Sequence, residues 1–417
     1  MSAAEPVALA PDPALPHRDA LLDADAMAER LSGALGSIDS CRRERARYAV
    51  GQRLWVIYRV GHGERERLVV AHTFADAAAA GRVFARAAVS APPPNGMRSI
   101  AHDRELHAVM WAFPYDPRMA MLPALVSSAS PVGELLGRPV ETRVVAYRPV
   151  RRAVLRCVDA TGADVAYAKV YHDDRGARVA RAQEELVRLL ADDPDVRVPR
   201  VLAFSAEKRT LVVEPISAPA LSELRGERLE WGAGRLGAAL ARLHDVHPPA
   251  RLRSRAPTPA QVRALVEPIA LMRPDARVLA EELLDALLDR WPRYEGTLRC
   301  AHGDVNTQNA RVDQQRVALI DLDDLALAPP GKDLARVLGR VRVDRLLGYR
   351  TPAETGRLEA ALLAGYGEVR QPPPDDTLGW HTALDLAGYA AKAVTRVNAD
   401  FARHLAPLLG AAREALG

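Results

Sequence analysis

The segment CAHGDVNTQNARVDQQRVALIDLDDLALAPPGKDLA, residues 300–335, constrains this chain more than any other. It sets Asp304, Asp321, Asp323 and Asp324 around the apolar run Val317–Ile320. Carboxylates beside a strand of that character are costly unless something neutralises or solvates them. A metal ion, an arginine partner and plain solvent are the three candidates.

A chain of 417 residues is too long for one ordinary core, so two or three domains are expected. The charge excess is small, 57 Lys+Arg against 53 Asp+Glu, and it is interspersed, which argues against nucleic acid as a partner. No apolar run reaches membrane-spanning length. Cys41, Cys157 and Cys300 lie far apart and match no metal spacing, which suggests reduced thiols in a cytoplasmic protein. Residues 1–20 lack an export signal, and their Pro and Ala content reads as a disordered leader.

The chain divides at its breakers. APPPNG (91–96) and SSASP (127–131) interrupt the N-terminal third. Between them and the leader, 53–60 and 66–74 read as strands joined through Gly61 and Gly63, 75–89 as a helix, and 106–116 as a further strand. Residues 21–130 are thus expected to form a small α/β module. Trp111, Phe113 and Tyr115 share one face of their strand, a face that seeks cover. The module is therefore expected to dock as a cap on the rest of the chain. Residues 135–214 read as five strands and one helix, 178–193, and residues 215–417 as largely helical.

Lys169 sits in a strand between Ala168 and Val170. Either it points to water from an edge, or it pairs with a phosphate and with Glu184 or Glu185 on the following helix, as a strand lysine does in protein kinases. Asn309 and Asp321 together supply the hard oxygens that Mg²⁺ takes, which leaves Asp304 free to accept a hydroxyl proton.

HGDVNTQN, IDLDD and KDLA in this order resemble the motif set of kinase-like phosphotransferases of the aminoglycoside phosphotransferase and choline kinase group. LARLH (240–244), VVEPI (212–216) and LLAGYG (362–367) match further, so the resemblance spans roughly 140–400. It implies an α+β, two-lobed protein-kinase-like fold, with a small mixed β lobe and a larger helical lobe behind the N-terminal module. It also implies ATP or GTP with Mg²⁺ as cofactors and a small-molecule hydroxyl acceptor. Carried over residue by residue, the base falls on Asp304, the metal ligands on Asn309 and Asp321, and the phosphate lysine on Lys169. The helix glutamate could fall on Gln183, Glu184 or Glu185 and is assigned to Glu184, and the adenine-binding hinge falls at Glu214 and Ile216.

One departure is the connection YRPVRR (147–152), which has no glycine where protein kinases have a glycine-rich turn; either Arg148, Arg151 or Arg152 supplies charge instead, or this is an exposed basic hairpin. His302 and Asp333 are expected to brace the loop that carries Asp304, and His244 to pack or cap. Three functions are in play. The first is a kinase for an aminoglycoside, sugar or amino-alcohol. The second is a sugar kinase of maltokinase type, and the third is an inactive nucleotide-binding regulatory module.

Overall fold

The structure, a computed structural model, describes residues 8–87, 99–127, 129–292, 298–314 and 316–417. The breaker at 91–96 and residue 128 lie outside the described residues.

The small lobe is an antiparallel sheet in the order Val201–Ser205, Thr210–Val213, Asp164–Tyr171, Arg152–Val158, Glu141–Arg148. The turn at 149–151 is tight, with Val150 in the left-handed region. The helix on this sheet runs Arg175–Leu189 and buries Val179, Ala180, Gln183 and Leu186, a spacing that marks one helical face. The chain then crosses to a helical lobe built around Gly226–Asp245, Pro330–Leu346, Pro352–Gly367 and Asp375–Ala390. Within it a hairpin, Ala310–Val312 with Val317–Leu319, pairs in parallel with Val196–Arg197. That hairpin presents the loop 302–309 and the turn after Leu319 to the small lobe.

The N-terminal module is a second antiparallel sheet, ordered Ser40–Ala49, Arg53–His62, Arg65–Phe74, Ala108–Ala112, Ile100–Asp103. Its helices are Ala24–Leu35 and Ala77–Ala87. Strand alternation sends Leu54, Val56 and Tyr58 into one core with Met27 and Leu31. The opposite face sends Ile57, Val70, Val109 and Trp111 into a core shared with Ala153, Leu155 and Ala168 of the small lobe. Polar contacts fix this dock. Trp111 Nε1 donates to Tyr147 Oη at 2.8 Å, and Tyr147 Oη donates to Asp116 Oδ2 at 2.7 Å.

The leader expected at 1–20 does not hold for residues 8–20. Ala10 N donates to the Met272 carbonyl at 2.9 Å, Leu15 and Arg18 are buried, and the Asp12 carboxylate accepts from Tyr48 and from Gly51 N. Met272 ends a helix of the helical lobe, Pro259–Met272, so this segment fastens the module to that lobe as well. The expected strand 106–116 is shorter, and Gly61 is strand residue rather than turn, the turn being at Gly63.

Candidate active site

Alternation puts Lys169 and Tyr171 on one side of their strand. The antiparallel register sets Arg152 opposite Tyr171 and Val154 opposite Lys169, so Arg152 shares that face. All three reach the turn after the hairpin. Lys169 Nζ lies 2.8 Å from Asp321 Oδ1 and 2.7 Å from Asp323 Oδ1. Arg152 grips both oxygens of Asp321, at 2.9 and 2.7 Å, and also bonds Asp323. Tyr171 Oη adds a donor to Asp323 at 3.0 Å. Burial opposes ionisation of Asp321, but Lys169 and Arg152 outweigh it and hold the carboxyl far below the usual range. Burial likewise opposes the charge on Lys169, and Asp323 and Asp321 reverse that, raising it. Lys169 and Arg152 thus neutralise Asp321 and Asp323, while Asp324 pairs with Arg255 at 2.8 Å.

Backbone geometry aims this cluster. Asp321 adopts φ 64°, a left-handed conformation that a non-glycine residue holds only under constraint from its surroundings. Gly303 has φ 81°, and a Cβ there would stand 2.2 Å from the Asp324 carbonyl oxygen. The glycine of HGD is thus required because the loop packs directly on the IDLDD turn.

The loop carrying Asp304 is braced as the sequence suggested. Asp333 Oδ2 accepts from His302 N at 2.7 Å and Oδ1 from Gly303 N at 2.9 Å. His302 Nε2 lies 2.9 Å from the Ile320 carbonyl, and His244 stands 3.3 Å from Asp333 Oδ2. Asn309 Nδ2 donates to the Asp304 carbonyl at 3.0 Å, which presents its amide oxygen as the remaining polar atom. Arg336, which sequence reading did not single out, bonds Asp304 Oδ1 and reaches Asp385 Oδ1 at 2.7 Å. It stands three residues after Asp333 on the same helix, and that spacing was the available signal.

One site expectation does not hold in the structure. Glu184 is exposed and does not meet Lys169. The buried helical face carries Gln183, whose Nε2 donates to the Pro199 carbonyl at 2.6 Å, while Glu185 accepts from Ala250 N at 3.1 Å. The carboxylate of Glu214 is held by neighbouring arginines, 2.7 Å from Arg200 and 2.9 Å from Arg197. Burial raises this carboxyl, but Arg200 and Arg197 bring it below its ordinary value. Ile216 lies in the irregular link between the lobes, after the strand that ends at Val213.

A β lobe that brings a buried lysine onto an aspartate of a helical lobe, beside a braced HGD loop, defines a kinase-like phosphotransferase with an alcohol as acceptor. The sequence model of the phosphotransferase enzyme family (APH) matches residues 152–381, more than half of the chain, and the chain belongs to that family. No match was found among curated protein sequences. Among solved structures, spectinomycin phosphotransferase APH(9)-Ia, in complex with ADP and spectinomycin, aligns with TM-score 0.50 at 15% identity, over 68% of this chain and 96% of that one. The macrolide 2'-phosphotransferase MphH from Brachybacterium faecium aligns at 0.43 and 19% identity, over 69% and 97%. The aminoglycoside phosphotransferase APH(3'')-Id from Streptomyces rimosus aligns at 0.43 and 22%, over 62% and 94%. Among the described residues, no helix is long and apolar enough to cross a membrane.

Proposed function

We propose that this protein transfers the γ-phosphoryl group of ATP or GTP to a hydroxyl of a small molecule such as an aminoglycoside, sugar or amino-alcohol. The observation that carries the reading is the convergence of Lys169 and Asp321, 152 positions apart in sequence, at 2.8 Å. Phosphoryl transfer asks for alignment and charge neutralisation rather than covalent chemistry. Lys169 and Arg152 are the cations placed to hold nucleotide phosphates. Asp304, fixed by Arg336 and by the Asp333 brace, orients the acceptor hydroxyl and takes its proton late. The link through Glu214 and Ile216 is the segment for adenine.

The donor set fits a magnesium ion: the Asp321 carboxylate and the Asn309 amide oxygen are both hard oxygens. Such an ion would neutralise charge on the transferring phosphoryl group. Asp321 would share its oxygens between that ion and Arg152, so Arg152 is the residue that must yield.

Arg152 also favours a second reading. An arginine closing both oxygens of the metal carboxylate suits an inactive nucleotide-binding module. Nucleotide turnover with Mg²⁺ across a panel of hydroxyl acceptors separates the two. Activity that falls by orders of magnitude in Asp304→Asn, with nucleotide binding retained, supports the kinase. Near-native turnover in that variant removes Asp304 from the mechanism.

A further inference from the structure

We propose that the acceptor alcohol carries at least one anionic group, a phosphate ester or a carboxylate, and that the N-terminal module helps to bind it. This narrows the phosphotransferase reading above and rests on it.

A cavity of about 1310 Å³ opens where the module, the small-lobe hairpin and the helical lobe meet. Asp304 and Gln308 form part of its wall, whereas Lys169, Arg152 and Asp321 do not. It is therefore the acceptor side of the site, apart from the nucleotide phosphate anchor. Among the described residues, seven arginines line it against two carboxylates, Glu267 and Asp304.

These arginines come from three places. Arg45 and Arg47 alternate with the buried Ala46 and Tyr48, so the edge strand of the module turns both toward the cavity. Arg148 and Arg151 flank the hairpin turn, which is pinned because Val150 N donates to the buried Asp116 at 2.8 Å. Arg396 faces them from the helical lobe. All seven fall outside residues 152–381, so this wall belongs to what surrounds the family's shared part.

Among the described residues, none of Arg45, Arg47, Arg148, Arg151 and Arg396 has a carboxylate within ion-pair distance. Contrast Arg152 and Arg336, each gripping two. The cluster is electrostatically strained. Enclosure, then Arg148, lowers Arg47; enclosure, then Arg47, Arg148 and Arg45, lowers Arg396. Like charges gathered in a concave site raise the local concentration of anions and repel cations. A polyamine-like aminoglycoside would meet seven guanidinium groups. A phosphate ester or carboxylate would find forked donors matched to its oxygens.

The test uses the full chain saturated with Mg²⁺ and a non-hydrolysable ATP analogue. Four probes share one scaffold: glucose, glucosamine, glucuronate and glucose 1-phosphate, titrated by calorimetry. Expected is tighter binding of one or both anionic probes than of glucose, and none for glucosamine. Whichever of the two binds tighter identifies carboxylate or phosphate. Arg45→Ala/Arg47→Ala should weaken anion binding by about tenfold or more, since charge-assisted hydrogen bonds are lost, while nucleotide affinity holds. Arg396→Ala, from the opposite wall, should weaken it as well, and melting curves check that both variants fold. Anions bound no better than glucose, or glucosamine bound as well as they are, overturns the proposal, as does an unchanged preference in the arginine variants. Anion binding without nucleotide binding, measured on the unsaturated chain, would sink the phosphotransferase reading and with it the acceptor role, leaving the arginine wall an anion site alone.

Discussion

Arg152→Met tests whether cations hold the carboxylate cluster. Methionine keeps most of the side-chain volume, so the change reports charge. Arg152, Asp321 and Asp323 keep only 13%, 23% and 6% of their side-chain surface exposed. Removing one partner from a buried pair costs about 3–5 kcal/mol. Lys169 remains on both carboxylates, so roughly half of that, ~2 kcal/mol, is expected here. At ~2.1 cal/mol/K per residue over 417 residues, the melting temperature falls by about 2 °C if the chain unfolds as one unit. Urea midpoints give the free energy more directly. A double-mutant cycle with Asp323→Asn isolates the interaction, and a coupling of ~1–2 kcal/mol is expected for residues in one network. Strict additivity, or an unliganded stability equal to native, would refute the argument that Arg152 neutralises this site.

Asp321→Ala should weaken Mg²⁺-dependent nucleotide binding more than Asp323→Ala. Asp323→Ala should cost more stability, because it strands Arg152, Lys169 and Tyr171 together; calorimetry and melting curves showing the reverse order sink the assignment. His72 is buried, and that burial, with Arg53 nearby, lowers it from 6.5 to about 3. The unfolded chain then binds the extra proton between those values, so stability falls as pH drops from 6.5 toward 3, at most ~1.4 kcal/mol per pH unit for this group. His72→Phe should flatten that slope, and equal slopes between pH 7 and 4.5 would show that another group sets it. A chain starting at Pro131 loses Trp111 and Asp116 and bares Ala153, Leu155 and Ala168; it should aggregate or melt well below the full protein. A soluble, equally stable and equally active truncation would make the module an independent appendage.

What the sequence made legible was local order plus motif order. Lys169, Asp304, Asn309 and Asp321 each stood out by type and spacing, and the loop brace by Asp333 came from the same pattern. The partner of Lys169 did not. Burial of Val179, Ala180, Gln183 and Leu186 turns Glu184 outward, and this face was hidden because the apolar leucines at 186, 189 and 190 do not all lie on it: Leu189 is exposed. The packing of residues 8–20 was hidden for a different reason. A Pro- and Ala-rich stretch has few local partners, and its contacts with Gly51 and Met272 are long-range. The arginine wall was illegible too, since its members come from the module, the hairpin and the residues after 390, and only folding gathers them.

The two ion networks divide the labour of the cleft. On the proposed nucleotide side, Arg152 and Lys169 saturate Asp321 and Asp323 in a closed arrangement, in which a metal–phosphate complex would have to replace one cation. On the acceptor side, Arg336 bridges Asp304 to Asp385, and Asp385 sits so close to its neighbour helix that a Cβ at Gly339 would stand 2.4 Å from Oδ2. Burial raises the Asp385 carboxyl despite Arg336, so that side stores desolvation while the other stores paired charge. Asp304, the proposed base, has little freedom to move when locked in this way. On the proposed function its contribution would be to hold a hydroxyl on line with the transferring group, with proton loss once the phosphoryl bond has largely formed. On the proposal above, specificity comes from the wall of arginines that shares the cavity with Asp304. That wall is supplied by the module, the hairpin turn and the residues after 390, which is where the seven arginines stand.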